Sequence, residues 1–307
     1  MVGVLIGFAI IAVIIATGYV VGRFDLLGPD AHRVLSRLAF FVLSPALLFT
    51  VLAEADVAVL FSVQLPTASV AAIAAILAYL LIALAVWRRP VPDATIGALS
   101  SGYVNANNIG IPVAVYVLGD ATASAPVILL QLVLLAPIAL GVLDVTTSGR
   151  VSVGRILSQP IRNPLIIASL LGLLVAVSGI ELPEPVLAPF ELVGAAAVPV
   201  ILISFGMSLH GRRVLDAKGH RRDVVVAVVL KLVFMPLVAW VMGAFVFQLD
   251  GHHLFVAVVL AALPTAQNVF TYAQRYRTAE VVARDAVLLT TLLSLPVLVI
   301  IAWLLAA

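Results

Sequence analysis

This chain offers almost no polar sequence from which to build a soluble surface. Apolar runs of about twenty residues, the length a helix needs to cross a bilayer, follow one another from end to end. The longest polar stretch, Gly211 to Asp223, is 13 residues. Hydrophobic residues make up 64% and charged residues 10%, far from the roughly half and about a quarter of a soluble domain. An all-α integral membrane protein is expected, with lipid as its surroundings. The net charge of +2 gives no reason to expect nucleic acid as a partner. There is no Cys, which excludes disulfides, thiolate catalysis and Cys-ligated metal. No Lys or Arg precedes the first run and Arg23 follows it, so that run reads as a retained span rather than a signal peptide.

Ten spans are expected: 2–22, 32–53, 64–87, 94–118, 123–145, 161–179, 186–209, 224–247, 254–274 and 281–305. The loops after spans 1, 3, 5, 7 and 9, with their flanks, hold 16 of the 17 basic residues, from Arg23 to Arg284. The alternate loops hold none, and instead carry Glu54, Asp56, Asp120, Glu181, Glu184, Glu191 and Asp250. Positive loops face the cytoplasm, so both termini are expected outside. One missed span would scramble this asymmetry.

The chain divides into a first half (1–145), a cytoplasmic linker (146–160) and a second half (161–307). Five spans per half is an odd number, so the halves insert with opposite topology. Prolines recur in matching spans: Pro45 and Pro199, Pro112 and Pro264, Pro137 and Pro296. Inverted five-helix repeats are a common architecture of secondary carriers.

Two spans are interrupted near mid-membrane. The fourth carries Asn105, Asn107, Asn108, Gly110 and Pro112, and the ninth carries Pro264, Gln267 and Asn268. Unwound backbone at this depth is tolerated only where it is buried in protein or lines a cavity. Pro suits the first turn of a helix, so new half-helices are expected to start at Pro112 and Pro264, crossing at mid-membrane. Their partially positive N-terminal ends would then converge on one point from opposite directions. Amides beside two such ends favour an anion, typically a carboxylate. The plainer role of the same amides is to join helices by hydrogen bonds.

Lys231 is the one basic residue outside the cytoplasmic flanks. It lies roughly 10 Å into span 8 at 1.5 Å per residue. It is a candidate charge partner for the substrate, or a side chain that snorkels to the interface. Glu191, Asp144 and Asp285 lie near span ends and are expected at interfaces. Neither broken segment contains a carboxylate, which disfavours cation/proton antiport. Sodium held by amides and carbonyls stays open. The adjacent His252 and His253 point apart on a helix, so no metal site is read there, and no cofactor is called for. A catalytic set at membrane depth is also missing, which disfavours an intramembrane enzyme. A carrier of small organic anions, a sodium-coupled symporter, and a channel or transporter-derived sensor are the remaining readings.

Three strings carry a resemblance. Tyr-Val-Asn-Ala-Asn-Asn-Ile-Gly-Ile-Pro (103–112), followed by Leu-Gly-Asp (118–120), resembles the fourth-helix motif of the auxin efflux carrier family in its bacterial branch. Ala-Leu-Pro-Thr-Ala-Gln-Asn-Val-Phe (262–270), then Ala-Gln-Arg-Tyr (273–276), resembles that family's ninth helix, and Lys-Leu-Val-Phe-Met-Pro-Leu (231–237) its eighth. The resemblance covers the whole chain. It implies ten helices in two inverted repeats, a scaffold part and a transport part, and elevator-type movement in a bacterial inner membrane. It also implies a crossover of helices 4 and 9 at the substrate site, a fold related to the sodium/bile-acid symporters, and a homodimer. Mono- or dicarboxylates such as malate or malonate are the implied substrates. The chain lacks the long cytoplasmic loop of the plant carriers, so their indole-acid specificity is not carried over.

Overall fold

The computed structural model describes residues 2–28, 30–54, 64–148, 163–180, 182–209 and 218–305. The linker 146–160 lies mostly outside the described residues. The described chain is helical: α1 (Val2–Arg23), α2 (Ala31–Ala53), α3 (Gln64–Val86), α4 (Val91–Gly102), α5 (Ala106–Leu118), α6 (Ala125–Thr147), α7 (Pro164–Ser178), α8 (Glu184–Ser208), α9 (Arg221–Val246), α10 (Gly251–Ala261), α11 (Gln267–Tyr276) and α12 (Glu280–Leu305). Among the described residues, α2, α3, α6, α8, α9 and α12 are each long and apolar enough to cross a membrane. No β-strand is present among them, apart from one isolated antiparallel bridge between Val104 and Thr265. The protein is an integral membrane protein built of helices.

Prolines do not break these helices where sequence alone would place the breaks. Pro45, Pro112, Pro137 and Pro236 each follow a widened π turn, at Ala39–Leu43, Ala106–Gly110, Leu130–Leu135 and Leu230–Phe234. A proline ring in an ordinary α-turn clashes with the carbonyl four residues back and removes a donor. An i→i+5 turn shifts the hydrogen-bond register there, and such local adjustment is how membrane helices accommodate proline. Pro112 therefore sits inside α5. The half-helices start instead at Ala106 and Gln267, which corrects the expected starts at Pro112 and Pro264.

The helices pack in two groups. In one, α1 lies along α8, and α2 packs on α7 and α8. The contact between α1 and α8 is made backbone to backbone. A Cβ at Gly18 would stand 2.2 Å from the Ile203 carbonyl oxygen, and one at Gly206 would stand 2.1 Å from that of Ile15. Close approach through small residues is a common way for helices to associate in lipid, where no hydrophobic effect separates helix from solvent. In the other group, α3, α4, α6, α9, α10, α11 and α12 pack on one another. The groups meet where α1 and α8 touch α5 and where α1 touches α12.

One local geometry occurs twice. At the end of α3, Trp87 and Arg89 N–H donate to the Ile82 and Ala83 carbonyls, and Arg88 has a φ of 52°. At the end of α9, Phe247 and Leu249 N–H donate to Met242 and Gly243, and Gln248 has a φ of 51°. Corresponding residues are 160 positions apart. Each turn leads directly into a half-helix, α4 or α10. Before α4, Arg89 forms two hydrogen bonds with Asp223 on α9, at 3.0 and 2.7 Å. At the start of α10, Asp250 is the N-cap and accepts from the His253 N–H at 2.9 Å, with the His253 ring Nδ1 at 2.8 Å. That backbone bond, then the ring, holds the Asp250 carboxyl below the usual carboxylate range.

Two acidic residues differ from the interfacial positions expected. Asp144 is buried and accepts a 2.6 Å hydrogen bond from Tyr276 OH; Asp285 is buried against Arg284, whose Nε stands 2.8 Å away. Those donors are what make burial of a carboxylate tolerable. Glu191 is exposed, as expected.

Candidate functional site

Both interrupted segments come together as a crossover. α4 ends at Gly102 and α10 at Ala261, and the extended links that follow pair with each other. The Asn105 N–H donates to the Pro264 carbonyl at 2.7 Å, and the Ala266 N–H to the Tyr103 carbonyl at 3.0 Å. Thr265, fully buried, adds two bonds: its hydroxyl donates to the Ser100 carbonyl at 2.6 Å, and its N–H donates to Thr290 Oγ1 at 3.0 Å. Backbone groups freed by each break are thus satisfied by the other break and by neighbouring hydroxyls, as burial in an apolar medium requires.

α5 and α11 each begin at this junction. The first N–H groups of any helix have no partner within it and carry its partial positive charge. At α5 the Asn105 side chain accepts from the Asn108 N–H at 3.2 Å, and Asn107 Nδ2 donates to Asn108 Oδ1 at 2.9 Å. Both helix starts open onto one cavity of about 380 Å³. That is near the small end of the range for ligand pockets, about 300–1,000 Å³.

The cavity lies between the two helix groups. The crossover contributes residues 103–108, Ala266, Gln267, Asn268 and Thr271, and α6 contributes Gln131. Opposite them stand His32, Ser36 and Arg37 of α2, Ser204 of α8, and apolar side chains including Phe40, Leu165 and Phe205. Among the described residues no carboxylate lines the cavity, and Arg37 brings a guanidinium to it. His32 Nδ1 donates to the Ser204 carbonyl at 2.9 Å, since a carbonyl can only accept, and the Ser36 and Ser204 hydroxyls are 2.8 Å apart. This hydrogen-bonded set ties α2 to α8. Several buried polar atoms on the lining residues have no hydrogen-bond partner: Asn105 Nδ2, Asn107 Oδ1 and Gln131 Oε1. Unmet buried amides of this kind call for water or ligand.

Of the residues singled out in the sequence, Asn105, Asn107, Asn108, Gln267 and Asn268 line the cavity. Gly110, Pro112 and Pro264 do not; Pro264 supplies the carbonyl that pairs with Asn105, and Gly110 packs beside Leu263. Lys231 is fully buried, away from the cavity lining, with Nζ donating to the Ala261 carbonyl at 2.7 Å. Sequence reading passed over His32, Ser36, Gln131, Ser204 and Thr271, and took Arg37 for a cytoplasmic flank alone. Gln131 and Ser204 did carry a signal, as single polar residues inside otherwise apolar stretches of their spans.

The chain is 27% identical over 289 residues to a protein of Rhizobium meliloti (strain 1021) named "Putative malonate transporter", covering 92% of this chain and 89% of that protein. It is 23% identical over 275 residues to the "Uncharacterized transporter YfdV" of Escherichia coli (strain K12), covering 87% and 86% respectively. Residues 4–143 and 146–302 match the family described as membrane transport protein. With nearly its whole length matched, and with the crossover motifs in place, the chain belongs to the membrane transport protein family, that of the auxin efflux carriers.

Proposed function

We propose that this protein is a secondary carrier of small organic anions, with mono- and dicarboxylates as its substrate class, working by elevator-type alternating access in a bacterial inner membrane. The observation that carries the reading is the convergence of five crossover amide side chains and two helix N-terminal ends on one cavity with no carboxylate among its described lining residues. Asn107, Asn108, Gln267 and Asn268 bind the substrate carboxylate, helped by the partial charge of α5 and α11. Asn105 orients this set through its bonds to Asn108 and Pro264.

The ten-span, inverted-repeat reading draws support from the turn geometry repeated at Arg88 and Gln248. At that 160-residue offset Pro264 corresponds to Val104 rather than to Pro112, so the breaks match better than the prolines do. The α1, α2, α7 and α8 group acts as scaffold, with its glycine contacts as the source of rigidity. The group carrying the crossover moves against it. In the orientation set by the basic loops, with both termini outside, Arg37 and His32 mark the cytoplasmic side of the cavity.

The test is a thermal-shift screen of purified protein against mono- and dicarboxylates, malonate first because of the relative's name. The best ligand then goes into counterflow in proteoliposomes. Concentration-dependent stabilisation by a carboxylate, with flux accelerated by substrate on the far side, is the expected outcome. Flux without such acceleration would make the protein a channel.

A further inference from the structure

Tyr103 stands on the extended link between α4 and α5. It is 2% exposed and lines the cavity. Its hydroxyl has no hydrogen-bond partner, which adds it to the unmet amide atoms of Asn105, Asn107 and Gln131 on the same cavity. Tyr272 and Asn268 of α11 lie beside the hydroxyl, close enough to act on it electrostatically but outside hydrogen-bond geometry. The ring therefore starts on one chain break and ends against the half-helix that leaves the other.

A tyrosine O–H usually finds a partner when it is buried, and leaving it unmet costs the folded protein its desolvation. The residue is not free to swing toward one. Its N–H donates to the Leu99 carbonyl at 2.9 Å, and its carbonyl accepts from the Ala266 N–H at 3.0 Å. Two residues on, Asn105 is oriented by the main chain. Its Oδ1 accepts from the Asn108 N–H, which leaves Nδ2 as a donor with nothing to bind. Alternate residues of an extended segment share a face. The link thus presents two buried, unmet donors to one cavity. Among the described residues no carboxylate lines that cavity to meet them, so the missing acceptor belongs to a ligand.

We propose that Tyr103 binds the transported anion directly, its hydroxyl donating to a carboxylate oxygen held at Asn268. The proposal rests on the carrier reading above and adds to it a residue that is not an amide. The phenol contributes a directed bond without adding charge to the cavity. Its backbone is tied on both sides before substrate arrives, so little ordering entropy offsets the bond. A ligand with no acceptor at this point leaves the hydroxyl unmet, and Tyr103 thereby selects against it.

Tyr103→Phe removes the hydroxyl and keeps the ring. Melting temperatures of wild type, Tyr103→Phe and Tyr272→Phe are measured without ligand and in titrations with malonate and with acetate. Without ligand, Tyr103→Phe is expected to melt no lower than wild type, because no protein partner is lost. With the carboxylate that stabilises wild type, Tyr103→Phe should need at least about tenfold more ligand for the same shift, as expected for losing a hydrogen bond to a charged group. Tyr272 does not line the cavity, so Tyr272→Phe should respond as wild type does. In counterflow, Tyr103→Phe should raise KM with kcat little altered. A lower melting temperature of ligand-free Tyr103→Phe would give the hydroxyl a structural partner and overturn the proposal. So would a wild-type ligand response in Tyr103→Phe, or an equal loss of response in Tyr272→Phe; each of these leaves the carrier reading standing. A wild type that responds to neither carboxylate counts against the carrier reading itself, and the proposal falls with it.

Discussion

The Asn105 N–H and the Pro264 carbonyl lie 2.7 Å apart, joining two chain breaks that are 159 residues distant in sequence. That bond and its neighbour between Ala266 and Tyr103 turn two interrupted helices into one rigid junction. The amides that follow each break are aimed into the same cavity because the breaks are paired.

Thr265 is the fastener of this junction. Replacing it by Val keeps its shape but leaves the Ser100 carbonyl without its 2.6 Å donor. Leaving a buried acceptor unmet costs about 1–3 kcal/mol. Thr265→Val is expected to lower the melting temperature and slow transport while the protein still folds; Thr265→Ser should retain both. Thermal unfolding and flux of the two variants check this.

Gly206 carries the prediction for the scaffold. Its missing side chain lets the Ile15 carbonyl approach to a point 2.1 Å from where a Cβ would be. The obstructing atom is backbone and cannot swing aside. Overpacking commonly costs about 1–3 kcal/mol, and a backbone clash belongs at the upper end or beyond. Gly206→Ala should reduce the yield of folded protein and its melting temperature sharply. Gly219, with open space around it, should accept Ala without effect.

How much of this was legible in the sequence depends on the range of the interactions involved. The helical membrane-protein class and the five crossover amides could be read because apolar runs and polar insertions are local signals. The starts of α5 and α11 could not, because Ala106 and Gln267 begin helices only where distant links pair. Pro112 misled for a related reason: the π turn before it absorbs the missing donor. Ser204 and His32, 172 residues apart, meet only through the packing of α2 on α8. The position of Lys231 in span 8 was plain, but its partner is the main-chain carbonyl of Ala261, and no residue type announces a carbonyl.

Arg37 should draw the anion toward the cavity without fixing it. It is exposed and, among the described residues, is in no ion pair. An exposed charge interaction is worth up to about 1 kcal/mol and is screened by salt. Arg37→Gln is expected to raise KM by up to about fivefold at low ionic strength. The effect should shrink as salt is added, with kcat little changed. Initial rates across a salt series measure this.

The central claim is that the crossover amides hold the transported anion. Asn268 is exposed on the cavity and Asn108 half-buried there, so Ala at either position should leave the fold intact. A hydrogen bond to a charged group contributes about 1.5–3 kcal/mol, which is more than tenfold in affinity. The most direct measurement is counterflow of the best-stabilising carboxylate in proteoliposomes. Wild type, Asn108→Ala and Asn268→Ala are compared at matched protein content and verified melting behaviour. The account predicts that each variant folds and loses at least about tenfold in kcat/KM. Wild-type rates in both variants would contradict it.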